Sequence, residues 1–222
     1  MLVHIAFVLF PNLTQLDLTG PLQVLHRMPG SIIHLPAASK EPVPSDCGLS
    51  LLPTCTFEEV PKVDLLCIPG GFGVSEALQD ERLMSFVKRA GKEASHLTSV
   101  CTGAFVLGAA GLLRDKRATT HWAYRHLLPK VGAIPVEQRV VCDGNVLTGG
   151  GVTAGIDFAF AVVEEVAGPE VAERIQVGLE YRPEARPYPG PDEKVVKSVE
   201  QGYSSRVLQF SAELDRAEFK FC

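Results

Sequence analysis

The sequence predicts an α/β protein built on an open, doubly wound and mostly parallel sheet. Strand-like and helix-like segments alternate along most of the chain, and strand-like segments such as LVHIAFVLF and VDLLCIPGG are continuous apolar runs. A strand with one face in water alternates apolar and polar residues, so continuous runs imply burial between two layers of helices. A third observation concerns where the chemistry sits. Asp17, Gly70 with Gly71, Cys101, and the run Gly149, Gly150 and Gly151 each follow a strand-like segment. Ligands of doubly wound sheets bind beyond the carboxyl ends of the strands, where these four strand ends can converge.

The elements follow in order. Residues 2–10 read as the first strand, and the stretch from about 14 to 26 as a helix with Asn12 or Thr14 as its cap and Leu16, Leu22 and Leu25 among its apolar positions. Pro21 is expected to interrupt or kink that helix. SIIHLPA is the second strand, and the proline-rich EPVPSDCGLSLLPT is a loop with a small hairpin. VDLLCIPGG is a strand ending in a glycine loop, SEALQDERLMSFVKRAGKEA one or two helices, and HLTSVC a strand that runs directly into the helix TGAFVLGAAGLL. Then come helical HWAYRHLLPK, the hairpin VVCDGNVLTGG, and the helices GIDFAFAVVEEVAG and PEVAERIQVGLE. On this reading residues 1–182 are one α/β domain. Residues 183–222 are a C-terminal extension packed on it, a loop around PYPGP followed by one amphipathic helix.

Composition narrows the function classes. A chain of 222 residues is long enough for one larger α/β unit with a sizeable core, and no linker divides it. A formal charge of −5, a pI near 5.7 and the lack of a basic stripe argue against a nucleic-acid partner and leave a small molecule as the expected ligand. The apolar start has no basic leader or small-residue cleavage site and is too short to cross a membrane as a helix, so neither secretion nor membrane attachment is expected. The six cysteines form no C-x-x-C pair and no zinc spacing, and are too sparse for a disulfide scaffold. Reduced thiols in a cytoplasmic protein, with no metal or other cofactor, are the expectation.

Among those cysteines Cys101 has a distinct setting. An intracellular cysteine is ordinarily a small buried hydrophobe, as Cys67 in its apolar strand should be. Cys47 and Cys55 flank GLSLLPT in a short strand or its turns, Cys142 precedes the turn DGN, and Cys222 ends the chain. Cys101 alone has a helix starting directly behind it, whose unpaired N–H groups and positive end are expected to favour a thiolate. Glycines after strands ordinarily serve tight turns. At Gly70, Gly71 and Gly150 they would also let backbone N–H groups approach a substrate or a developing anion. Asp17 lies between Leu16 and Leu18 in a largely apolar segment, where a carboxylate needs a partner.

The segments IAFVLFPNLTQLDLTGPLQVL, DLLCIPGG, SVCTGAFVLGAAGLL, ATTHW and VLTGGGVTAGIDFAF together resemble the PfpI/ThiJ superfamily over about residues 1–182. The resemblance implies a flavodoxin-like fold with a cysteine at a nucleophile elbow, and a homodimer. Asp17, where many relatives carry Glu, and Thr102 directly after Cys101 are similar to the isonitrile hydratase branch, which implies Cys101, Asp17 and Thr102 as catalytic residues. Thr102 can equally be an early helix residue that bonds nearby backbone. His121 is the nearest histidine by motif, read as a helix-start or dimer-contact residue behind the site. PfpI-type peptidases carry His directly after the nucleophile; here Thr102 stands there, so peptidase activity is not expected. Another branch joins this domain to an AraC-type helix-turn-helix module, which needs on the order of 100 further residues where about forty follow Tyr181.

The implied chemistry is hydration of R–N≡C to an N-substituted formamide through a cysteine thioimidate, with Asp17 moving the protons. Two other classes share the elbow. One is a different cysteine enzyme of the superfamily, a glyoxalase or a hydrolase of small carbonyl compounds. The other is a non-catalytic sensor with an oxidisable Cys101.

Overall fold

In a computed structural model, which describes residues 2–183, 193–217 and 219, strands β1 (Val3–Phe7), β2 (Ser31–His34), β3 (Leu65–Ile68), β4 (His96–Val100), β5 (Val140–Asp143) and β6 (Val146–Gly149) form one sheet. Their spatial order is β5-β6-β4-β3-β1-β2, and every pairing is parallel except β5 with β6. The chain leaves β1 in one direction to β2 and returns in the other through β3 and β4 to β6. Right-handed crossovers therefore put helix α1 (Gln15–Leu25) on one face, and α2 (Glu81–Glu93) and α3 (Gly103–Ala109) on the other. The strand order reverses beside β1 and β3, and the loops after them meet the elbow after β4. Helix α4 (Ala154–Ala167) packs on α1 and on α5 (Pro169–Gly178).

The central strands are apolar for the reason their sequence suggests. All four residues of β3 and of β6 are buried, and Cys67 in β3 has no exposure. Burial pushes its thiol up to about 12, so it remains a neutral core group. The hairpin VVCDGNVLTGG and the small hairpin of the proline-rich loop both form, the latter pairing Val43–Pro44 with Ser50–Leu51.

Several local expectations change. Helix α1 runs unbroken through Pro21, although that residue has no N–H for the Asp17 carbonyl. Thr14 is the residue before the helix, but its hydroxyl donates to Asp46 at 2.7 Å and does not cap it; Asn12 sits in a left-handed turn with φ 59°. The helix after Cys101 is shorter than TGAFVLGAAGLL because Gly111 turns left-handed at φ 80° and ends it. HWAYRHLLPK winds as a 3-10 helix, Trp122–Val131.

The tail contributes one long helix, α6 (Glu193–Arg216), which lies on the Trp122–Val131 helix. Phe210 anchors it, buried edge-on against Phe105 at 4.9 Å and against Tyr124 at 5.7 Å, and Lys130 pairs with Asp215 beside it. The PYPGP segment and Cys222 lie outside the described residues. Cys67→Ser, which places a hydroxyl in β3, is expected to cost about 1–3 kcal/mol in a urea titration, with the fold retained.

Candidate active site

Cys101 occupies the turn between β4 and α3 with φ 54°, a left-handed conformation that costs a residue with a Cβ on the order of 1–3 kcal/mol. The neighbouring strand ends hold it there. Its N–H is shared between the carbonyls of Gly149 at 3.0 Å and Gly150 at 2.9 Å, and its own carbonyl accepts the buried Thr120 hydroxyl at 2.6 Å. The side chain is 5% exposed.

Asp17 comes up from the first turn of α1 and is fully buried. Its Oδ2 accepts the Gly70 N–H at 3.0 Å, and its Oδ1 has no partner of ordinary hydrogen-bond geometry. The side chain coupled to this carboxyl is Cys101. Burial raises the Asp17 pKa to about 7 against the lowering pull of Gly70 N–H and the thiol, with Asp46 adding a smaller push upward. The same burial, and then the Asp17 charge, raise the Cys101 thiol well above its ordinary value; the Thr102 N–H and hydroxyl pull the other way. Against the pull of the helix start toward a thiolate, burial and the neighbouring carboxyl weigh toward the thiol. Near pH 7 the pair passes from two protons to one, and the singly protonated pair carries one negative charge as a unit.

The glycines also act differently from the expectation. Gly70 N–H is used by Asp17, and Gly71 N–H donates to Thr102 Oγ1 at 3.0 Å, so neither faces a substrate as a free donor. Gly70 is a glycine because a Cβ there would lie 2.5 Å from Thr102 N and 2.8 Å from the Cys101 Cβ. The Thr102 hydroxyl accepts from Gly71 N and donates to Gly71 O at 3.2 Å, which ties the start of α3 to the loop after β3. Gly150 is not in the cavity that reaches Cys101. It borders a different surface cleft with Arg125 and Glu137, and it serves the elbow through its carbonyl, while its N–H bonds Arg139 O at 2.9 Å. The N–H groups of Gly70, Gly71 and Gly150 are thus already committed within the protein, while Gly71 still lines the chamber at Cys101.

His121 is brought to the site. It precedes the Trp122–Val131 helix, its Nδ1 accepts the Ala123 N–H, and its ring lies among Trp122, Tyr124 and Tyr203. Burial lowers its pKa, so it faces the cavity as a neutral imidazole. With Cys101, Gly71 and Thr102 it lines a chamber of about 50 Å³, whose other walls include Phe72, Tyr124 and Tyr203. A second chamber of about 220 Å³ adjoins it across Phe72, Thr102 and Tyr124 and opens between α6 and the short helix Val74–Ala77. Tyr203 and Phe72 were not singled out from the sequence. The spacing Tyr203, Val207, Phe210, Leu214 marks one apolar face of α6, but nothing in the pattern says which surface that face covers. Among the described residues no three His, Cys, Asp or Glu side chains form a metal-binding group.

Residues 3–165 match the model of the DJ-1/PfpI family. The chain belongs to the DJ-1/PfpI family. It is 53% identical over 183 residues to an isonitrile hydratase of Pseudomonas putida, a match spanning 82% of this chain and 80% of that one. It is 28% identical over 184 residues to the HTH-type transcriptional regulator CdhR of Pseudomonas aeruginosa, covering 79% of this chain and 53% of the regulator. Among solved structures, a ThiJ/PfpI family protein from Pseudomonas syringae superposes with a TM-score of 0.89 at 38% identity, over 98% of this chain and 90% of that one. The DJ-1/PfpI assignment carries the flavodoxin-like fold with it, and the elbow at Cys101 stands where the motif SVCTGAF places it.

Thr120→Val keeps the shape of that side chain but leaves the Cys101 carbonyl without its buried donor. The expected cost is about 1–3 kcal/mol in stability, measured by chemical unfolding.

Proposed function

We propose that this protein hydrates isonitriles to N-substituted formamides, with Cys101 as nucleophile and Asp17 as the group that moves protons. The observation that carries the reading is a buried carboxyl, Asp17, set beside the buried Cys101 of the elbow, and the 53% identity to a curated isonitrile hydratase supports it. An isonitrile needs a soft nucleophile and an acid at the same carbon, and one tautomer of this pair, S⁻ with COOH, supplies both.

The proton ledger closes. Cys101 Sγ forms a bond to the terminal carbon as Asp17 gives that carbon its proton, which leaves R–N=CH–S–Cys and a carboxylate. Asp17 then takes a proton from water as the hydroxyl adds to carbon, and passes it to nitrogen to give R–NH–CH(OH)–S–Cys. When the C–S bond breaks, the hydroxyl proton returns to Asp17, the formamide R–NH–CHO departs, and the pair regains its starting state. Thr102 N–H supports charge on sulfur in the first and last steps. Thr102 Oγ1, held on Gly71 N and O, positions the elbow.

The reading includes a homodimer in a reducing cytoplasm. The five described cysteines are free, and no described helix is long and apolar enough to cross a membrane. Light scattering should report about twice the 24.0 kDa chain mass, in line with the prevalence of two-fold homo-oligomers.

The central test is formamide production from cyclohexyl isonitrile, with methylglyoxal as parallel substrate; turnover of methylglyoxal alone would overturn the hydratase. Cys101→Ala should abolish turnover. Asp17→Asn keeps an acceptor for Gly70 N–H but carries no acid, and should lose about 10²–10⁴-fold in kcat.

The pH profile follows from the shared proton. Below about 7 the pair becomes doubly protonated and loses the reactive tautomer, so kcat/KM should rise with pH through that region and hold into the alkaline range. Stability should show the same group with opposite benefit. A carboxyl whose folded pKa is raised from 3.8 to about 7 binds more protons folded than unfolded between those values. Its contribution is therefore largest in acid and declines as pH rises from about 4 to 7. Asp17→Asn should remove that part of the slope in urea titrations run across the interval.

A further inference from the structure

The inner chamber, about 50 Å³ where about 10–15 Å³ admits one water molecule, has room for the isonitrile group and the first atoms of its substituent. Anything larger has to extend into the adjoining space of about 220 Å³. Phe72, Tyr124 and Phe210 form apolar walls along that route, which suits a flat or aryl body.

The far end is polar and built from two elements. Arg206 of α6 lies over the Phe72 ring, its guanidinium carbon 3.8 Å from the ring centroid. Among the described residues Arg206 makes no ion pair, and stacking occupies the faces of the guanidinium while leaving its N–H edge free. A planar fork held in one orientation by an aromatic ring is matched to a carboxylate, which it can bind through two parallel hydrogen bonds. Glu76, on the Val74–Ala77 helix, lines the same chamber and opposes an anion there.

Resting on the hydratase reading, we infer that the outer chamber is an anion subsite for the far end of the substrate, with Arg206 as its receptor and an isonitrile bearing a carboxylate on an aryl substituent as the favoured class. Helix α6 is then a specificity element: it lines the inner chamber with Tyr203 and reads the substituent with Arg206.

The test compares 4-isocyanobenzoate with the neutral 4-isocyanobenzamide in wild type, Arg206→Gln and Glu76→Gln, with cyclohexyl isonitrile as the reference in each variant. Wild type should prefer the carboxylate by about tenfold in kcat/KM, expressed in KM. Arg206→Gln should remove the preference and Glu76→Gln should increase it. Equal use of carboxylate and amide by wild type, or a preference that survives Arg206→Gln, overturns the subsite. Calorimetry with the product forms, 4-formamidobenzoate and 4-formamidobenzamide, reads the same subsite without turnover. If no isonitrile is hydrated but the benzoate binds in an Arg206-dependent way, the reaction is wrong and the anion subsite stands. If the two product forms bind alike, the subsite is wrong whatever the assay shows.

Discussion

A buried carboxyl set beside a buried thiol organises this protein. A carboxylate with no exposure is too costly to keep without partners, and the surrounding elements can be read as the means of supplying them. Helix α1 packs on α4 closely enough that a Cβ on Gly20 would stand 3.4 Å from Ile156, which fixes the height of Asp17 beneath the elbow. The loop after β3 presents Gly70 N–H to one carboxyl oxygen. The elbow bends Cys101 into a left-handed turn that brings its thiol to the carboxyl, and two carbonyls and a threonine hydroxyl hold the bend.

Magnitudes explain why the helix end behind Cys101 does not settle the charge. A charge at a helix N-terminus gains typically 0.3–1 kcal/mol and about 2 kcal/mol when partly buried, which is roughly one and a half pKa units at most. Full burial shifts a pKa by up to about 3–5 units, and a like charge close by adds to it. The seven-residue α3 therefore tempers the cost of a thiolate without reversing it. In the proposed reaction sulfur becomes nucleophilic because its proton has a nearby acceptor, and the acceptor can act as an acid because burial raises its pKa.

The sheet and the elbow were legible because they rest on local chemistry. The continuous apolar run at Leu65–Ile68 marks a strand buried on both faces, and a cysteine between a β-branched strand and small helix formers marks the turn. The roles of the glycines were not legible, because a glycine that frees an N–H for a ligand and one that admits a neighbouring backbone look alike in sequence. Gly70 and Gly71 prove to be the second kind, with their N–H groups already committed. His121 was found by motif, yet its neighbours Tyr203 and Phe72 come from segments separated by more than a hundred residues, and no periodicity reports where two such segments meet.

The tail shows how that limit bears on function. Its amphipathic spacing predicts a helix, and the helix forms, but an apolar stripe is satisfied by any complementary surface. Here the stripe lands on the Trp122–Val131 helix, with Phe210 seated on Phe105 of α3. The anchor residue of the tail thus touches the helix that begins at the nucleophile, and Tyr203, two turns earlier, lines the chamber above it. The chamber so bounded reaches Cys101, so an element far along the chain helps to shape the approach to the elbow. One helix thus lines both chambers, Tyr203 the inner and Arg206 with Phe210 the outer, so a change in how α6 seats itself changes the shape of both at once.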